Sequence, residues 1–172
     1  YELRRFEPGA DATDHILNAG VRRRFTEWLY FDGKVGVDFI DPYFGQDQSK
    51  PRFEARLTDE INRTTTIDVA FNKAYSLNSY VEDIFDRWQV SSSLNKEWTE
   101  RFGSALSVFY GSGKYVTSTT KNDFFGVNIS LDYDLTQDWL LTLRYNFTDV
   151  GSTDGMQEYR KNLVSLGLTR NF

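Results

Sequence analysis

The sequence contains no cysteine, a single histidine and only three prolines among its 172 residues. The absence of cysteine excludes a disulfide framework, a thiolate nucleophile and a cysteine-based zinc site. A lone histidine argues against a metal site that needs several histidine ligands. We therefore expect no metal and no other cofactor.

The sequence also has no excess of positive charge and no long apolar run. Its formal net charge is −5, so it lacks the basic surface that neutralises nucleic-acid phosphates, and we expect no nucleic-acid partner. It has no stretch of the ~20 consecutive apolar residues that a membrane-spanning helix needs. Aromatic residues nevertheless make up 16% of the chain, which argues against disorder. The length predicts a single domain over residues 1–172.

Apolar residues recur at every second position along most of the chain. Leu141, Leu143, Tyr145 and Phe147, for example, alternate with polar residues. A two-residue period places one set of side chains on each face of a β-strand. The pattern predicts ten strands and no helix of consequence, with the strands near residues 1–6, 15–25, 29–40, 52–58, 64–75, 84–94, 101–110, 124–133, 139–148 and 159–172.

The connections between these strands alternate between long and short. The short ones resemble one another: an apolar residue, then Thr or Asn, then acidic or polar residues, then Trp or Ile. We predict these turns at residues 25–28, 57–61, 94–98 and 135–139. Such an internal repeat predicts an up-and-down antiparallel meander, with short turns at one end and long loops at the other.

A meander of about ten strands removes its edges by closing into a barrel, which is either soluble or embedded in a membrane. Three observations favour the membrane. The aromatic residues are too bulky for one small lumen. Strands of about 10 residues, tilted by about 40°, span about 25 Å, as outer-membrane barrels require. Trp28, Trp98 and Trp139 all fall at the short-turn end, as an interfacial aromatic girdle requires. The alternative for these tryptophans is turn packing against a soluble core.

The last strand alternates through Val164, Leu166 and Leu168 to a terminal Phe172. This pattern resembles the C-terminal strand of Gram-negative outer-membrane β-barrel proteins, particularly the putative porin families, although Arg170 stands where the family usually has an aromatic or apolar residue. The resemblance implies a transmembrane β-barrel in the bacterial outer membrane, in contact with outer-membrane lipid and lipopolysaccharide. It also implies that Phe172 is the signal read by the barrel assembly machinery.

If the apolar set faces lipid, the opposite set faces the lumen. That set includes residues of both charges, which we expect to line a pore: Arg22, Arg24, Asp32, Lys34, Asp38, Glu54, Arg56, Asp68, Arg87 and Arg144. One interpretation is a porin-like channel for small polar solutes or ions. Others are a conduit for polysaccharide export, or a non-conducting structural or adhesion barrel closed by a salt-bridge network.

Arg23 has the parity of the lipid-facing set, between Val21 and Phe25. We expect its side chain to reach towards the membrane interface. A β-bulge at this point is the alternative.

The only candidate for enzymatic chemistry is His15, which lies near Asp11 and Asp14. Such a group could act as a general base at the rim of a barrel hydrolase. An exposed loop histidine beside ordinary turn carboxylates explains the same residues better, so we expect no enzymatic activity.

The first predicted strand has only six residues, fewer than the ~9–11 that a spanning strand needs. We therefore expect the chain to be the C-terminal portion of a larger barrel that includes further strands or subunits. A complete ten-stranded barrel is the alternative.

Overall fold

The computed structural model describes residues 2–5, 13–41, 48–78, 83–116, 118, 120–155 and 158–170. Within these residues no helix has the length and apolar character needed to cross a membrane. The chain instead forms ten strands: β1 (Glu2–Arg5), β2 (Thr13–Arg24), β3 (Leu29–Asp41), β4 (Gln48–Asn62), β5 (Thr65–Asn78), β6 (Asp83–Thr99), β7 (Phe102–Tyr115), β8 (Lys121–Asp134), β9 (Trp139–Ser152) and β10 (Tyr159–Arg170).

The ten strands form one antiparallel sheet in which spatial order follows sequence order from β1 to β10. This confirms the predicted all-β, up-and-down architecture. Most strands are longer than predicted; β6, for example, extends from Asp83 to Thr99. In the described residues β1 and β10 do not pair with each other, so the sheet is open rather than closed into a barrel.

Side chains alternate between two chemically different faces. On one face Val35 pairs with Phe53, and Ala55 pairs with Phe71 on the next strand. On the other face Lys34 pairs with Glu54. We call these the apolar face and the polar face. Because parity alone sets the direction of a strand side chain, the two faces stay separate wherever neighbouring strands pair. At the long-loop end, where β4 and β5 no longer pair, Ile40 of the polar face packs with Tyr75 and Ile84 of the apolar face.

The short turns lie at residues 25–28, 63–64, 100–101 and 135–138, and we call this side of the sheet the short-turn end. The predicted turns at 57–61 and 94–98 are wrong, because both segments continue as strand in β4 and β6. A register shift between Glu60 and Asn62, and another between Glu97 and Thr99, each absorb an irregularity before the hairpin closes. Bulges of this kind allow a strand to continue through a sequence that resembles a turn.

A Thr or Asn side chain organises each short turn. Thr26 Oγ1 accepts hydrogen bonds from the backbone N–H groups of Trp28 and Leu29 at 3.2 and 2.9 Å. Thr99 Oγ1 accepts the equivalent bonds from the residues two and three positions later, at 3.2 and 3.0 Å. Asn62 and Thr136 accept one backbone bond each, at 3.0 and 3.3 Å. The four turns therefore share one feature: in each, a short polar side chain takes the place of a backbone hydrogen-bond acceptor.

The opposite, long-loop end contains a small buried cluster. Ile40, Tyr75 and Ile84 pack together, with Val116 against them. The pairing of β4 with β5 ends at Phe53, so above this point the cluster joins β3 to β5 and β6. Elsewhere the sheet has little core of its own, and large apolar side chains on the apolar face remain exposed.

Candidate functional site

The polar face carries a network of ion pairs across β2, β3 and β4. Arg22 Nε lies 2.5 Å from Asp32 Oδ1, and Lys34 Nζ lies 3.4 Å from Glu54 Oε2. Each pair joins residues directly opposite each other in the register. Opposite charges in these positions stabilise neighbouring strands.

Arg52 connects this network to a buried carboxylate. Its guanidinium lies 3.4 Å from Asp38 and 3.2 Å from Glu54, and the side chains of Arg52 and Asp38 are 13% and 0% exposed. Arg52 was not among the residues predicted to line a pore, because the predicted fourth strand began at this residue. The alternation of Lys50, Arg52 and Glu54 was the available signal, since all three share one parity. We call the six residues of this network the charged patch: Arg22, Asp32, Lys34, Asp38, Arg52 and Glu54.

The register places all ten residues predicted to line a pore on the polar face. Five of them belong to the charged patch. Asp68 accepts hydrogen bonds from Thr58 at 2.6 Å and from Ser93 at 3.4 Å. The remaining four are exposed and form no ion pair with any residue that the structure describes: Arg24, Arg56, Arg87 and Arg144.

The polar face of β6 to β9 is different, because hydroxyl, amide and aromatic groups dominate it. A cavity of about 970 Å³ lies against these strands, and Arg87 is the only charged residue among the described residues that line it. Asn128 Nδ2 donates a hydrogen bond to Ser107 Oγ at 3.2 Å on its floor. The polar face is therefore densely charged on β2 to β5 and sparsely charged on β6 to β9, where Asp132, Asp134 and Arg144 lie outside the cavity lining.

On the apolar face, charges occur only near the two ends of the strands. At the long-loop end, Lys73 lies 3.1 Å from Asp86, and Arg160 lies 3.0 Å from Asp149. We call the charged apolar-face residues at this end the long-loop belt: Lys73, Asp86, Lys114, Lys121, Asp123, Asp149 and Arg160.

At the short-turn end, cations of the apolar face lie over aromatic rings. The distances to the ring centroids are 5.6 Å for Arg23 over Phe25, 5.8 Å for Lys96 over Trp98 and 5.7 Å for Arg170 over Trp139. The pairing of β2 with β3 is regular through Arg23, so no bulge redirects this side chain. We call the charged residues here the short-turn belt: Arg23, Asp59, Lys96 and Arg170.

Between the two belts lies an uncharged band. On the apolar face of β2 to β10, no Asp, Glu, Lys or Arg stands between the long-loop belt and the short-turn belt. Asp86 and Lys96 are ten positions apart on β6, and Arg160 and Arg170 are ten apart on β10. Ten residues extend about 33 Å along a strand, or about 25 Å perpendicular to the membrane at a tilt of about 40°.

The tryptophans of the predicted girdle lie together at the short-turn end. Trp28, Trp98 and Trp139 are 45%, 61% and 36% exposed. Trp98 Nε1 donates a hydrogen bond to Ser104 Oγ at 2.8 Å. Their exposure shows that the described residues of the chain do not bury these rings in a core.

The structure describes only part of the predicted rim site. His15 lies on the apolar face, opposite Phe39 of β3, whereas the neighbouring Asp14 has the parity of the polar face. Asp11 lies outside the described residues, as does the predicted assembly signal Phe172. No group of three or more His, Asp or Glu side chains suited to a metal ion occurs among the residues described.

Comparison with known proteins shows a likeness in fold. No protein-family model and no curated protein matches the chain. Among solved structures, it is similar to a chain in the structure of the FpvAI–pyocin S2 complex, in which FpvAI is an outer-membrane TonB-dependent receptor with a β-barrel. The TM-score is 0.68 at 12% sequence identity. The match covers 95% of this chain but only 27% of the solved chain, so this chain spans about a quarter of its length.

Proposed function

We propose that the chain forms part of the wall of a β-barrel in the bacterial outer membrane, with its polar face lining a water-filled passage for small polar solutes or ions. The uncharged band carries this proposal. On β6 and β10 its height of about 25 Å matches the apolar band of outer-membrane barrels, although Asp59 and Lys73 narrow it on β4 and β5. The likeness in fold to an outer-membrane receptor barrel supports the same environment.

The ends of the band fit the two interfaces of a membrane. A charge at the bilayer midplane costs about 2–4 kcal/mol, and about 0–1 kcal/mol near the interface. The belts place every charge of the apolar face near the cheaper positions. Aromatic rings beside the cations of the short-turn belt suit the interface, where amphipathic side chains concentrate.

The long-loop belt offers contacts for lipid headgroups. Lys73, Lys114 and Lys121 surround a cavity of about 200 Å³ that Trp88 also lines. Lys114 forms no ion pair with a described residue, so it is available to a phosphate at the membrane surface. We therefore include phosphorylated outer-membrane lipid among the partners. Assembly through Phe172 remains a prediction, as does the absence of enzymatic activity.

The passage is proposed to be wet rather than closed by ion pairs. Arg24, Arg56, Arg87 and Arg144 stand exposed on the polar face without an ion-pair partner in the described part of the chain. A dry interior would leave four guanidinium groups without compensation, at a high cost in free energy. Contact with water satisfies these groups and favours a channel over a closed, non-conducting barrel.

Spin labels on single cysteines test the membrane wall, because the chain contains no cysteine of its own. Val127→Cys and Asn128→Cys are adjacent on β8 but point to opposite faces. In the full-length protein reconstituted in phospholipid vesicles, a label at 127 should collide mainly with dissolved oxygen, and one at 128 with a water-soluble nickel chelate. Equal accessibility to the chelate at both positions would refute the lipid-facing wall.

Planar bilayers test the passage itself. Protein that shows the alternating label accessibility should give stable ohmic conductance steps. If such protein gives no conductance steps, the membrane barrel is supported, the channel is wrong, and a non-conducting barrel is the better proposal.

A further inference from the structure

Three phenylalanine rings of the polar face lie across glycines of neighbouring strands. A Cβ built on Gly111 would collide with the ring of Phe124, and one built on Gly126 would collide with the ring of Phe109. In both cases ring and glycine are direct partners in the pairing of β7 with β8. The ring of Phe85 on β6 covers Gly113 of β7, which is its diagonal neighbour rather than its direct partner.

Each ring lies between a buried glycine and the cavity. The three glycines are buried, whereas Phe85, Phe109 and Phe124 are only partly buried. Each ring therefore shields backbone on one side and leaves its other side accessible, as in the aromatic covering of strand glycines. All three rings line the cavity of about 970 Å³.

The rings of Phe85 and Phe124 lie over β7, at positions 113 and 111, whereas the ring of Phe109 lies over Gly126 of β8. The centroids of Phe109 and Phe124 are 6.4 Å apart. The residue rows at positions 109, 111 and 113 of β7 span about 13 Å, so the three rings form an aromatic track that crosses from β8 to β7 and runs towards the long-loop end.

Groups that both donate and accept hydrogen bonds stand beside this aromatic track. Gln89, Ser91, Ser107 and Asn128 line the same cavity, and only Arg87 there carries a charge. Hydroxyl and amide groups match the many hydroxyls of a sugar, whereas ring faces match the apolar C–H faces of a pyranose. A hydrocarbon would leave the polar groups unsatisfied, and a strongly charged solute would find one counter-charge.

We infer that this half of the polar face binds neutral carbohydrate, with the sugar rings stacked on Phe85, Phe109 and Phe124. The inference deepens the proposed function, since it names a substrate class for the same passage. It places carbohydrate on β6 to β8, away from the charged patch on β2 to β4.

Equilibrium binding to the full-length protein in detergent tests the inference without requiring conductance. The probe is maltohexaose, a neutral linear hexasaccharide, and the readout is its saturation-transfer NMR signal or its heat of binding. We expect Phe124→Leu to weaken binding roughly tenfold, or by about 1.4 kcal/mol, because leucine removes the aromatic ring on which the sugar stacks. Phe124→Tyr, which keeps the ring face, should bind as the parent does.

The matched control is Phe125→Leu, because Phe125 is adjacent on β8 but lies on the apolar face. It should leave maltohexaose binding unchanged, and heat-modifiable migration in gels should confirm that every variant folds. Equal loss in both leucine variants would overturn the inference. So would the absence of maltohexaose binding by folded parent protein, or binding only of an anionic oligosaccharide that Arg87→Gln abolishes. If the protein conducts ions but fails the binding tests, the proposed channel stands and the carbohydrate site is wrong. If it binds maltohexaose but does not conduct, the carbohydrate site stands and the proposed channel is wrong.

Discussion

The ion pairs of the polar face differ in how far they are removed from water. Asp38 is fully buried and Arg52 is 13% exposed, whereas Arg22, the partner of Asp32, is 75% exposed. Removing one partner of a buried pair leaves an uncompensated charge, and removing one partner of an exposed pair leaves a hydrated one. Burial, rather than distance, therefore decides which of these ion pairs the fold depends on.

At the residue scale, Arg52→Met should destabilise the fold by about 3–5 kcal/mol, because it leaves the Asp38 carboxylate buried without its cation. The free energy of unfolding in urea measures the effect. Arg22→Met is the matched control and should change that free energy little, since Arg22 lies in water. Adding Asp38→Asn to Arg52→Met should recover much of the loss. Equal effects of the two methionine variants would contradict this account.

Individual side chains also decide where the strands turn. Thr26 and Thr136 were predicted to lie in turns, and both accept backbone hydrogen bonds there. In the other two hairpins the accepting residues are Asn62 and Thr99, outside the predicted segments. The local sequence therefore located two of the four turns and missed the residues that organise the other two.

Among the elements, β7 and β8 pack through two glycine–phenylalanine pairs. Their direct partners include two pairs of one glycine and one phenylalanine, with each ring filling the space above its glycine. A strand glycine normally weakens a sheet, because it adds no side-chain packing. Here the ring from the next strand supplies that packing.

At this element scale, Gly126→Ala should destabilise the protein by about 1–3 kcal/mol, because a methyl group would displace the Phe109 ring and overpack the contact. Gly151→Ala on β9 is the control, since a Cβ there meets nothing within 4 Å. Urea unfolding of both variants in the same detergent provides the comparison. A Gly126→Ala variant as stable as Gly151→Ala would show that the ring moves away without cost.

At the scale of the whole molecule, the two faces of the sheet suit two different environments. The apolar face presents an uncharged band bounded by the two belts, and the polar face is densely charged on β2 to β5 and sparsely charged on β6 to β9. An exposed apolar surface of this extent needs an apolar environment. In the proposed function that environment is lipid, and the polar face meets water.

A single arginine at mid-band tests this assignment for the molecule as a whole. Val127→Arg should lower the free energy of unfolding in lipid vesicles by about 2–4 kcal/mol, the cost of a cation near the bilayer midplane. Asn128→Arg, one residue away on the polar face, should have a much smaller effect. Similar costs for both substitutions would mean that the two faces meet the same solvent.

The two-residue period determined the number of strands and the face on which each side chain stands, and the alternation of short and long connections predicted their order as a meander. The period could assign the faces because side-chain direction in a strand depends only on parity. The tertiary structure decided where β4 and β6 turn, that Arg52 neutralises Asp38, and that phenylalanine rings cover Gly111, Gly113 and Gly126. These features depend on the register between strands. The register brings together residues that are far apart in the sequence, such as Phe85 and Gly113, which are 28 positions apart. Their contacts exist only after the strands have paired.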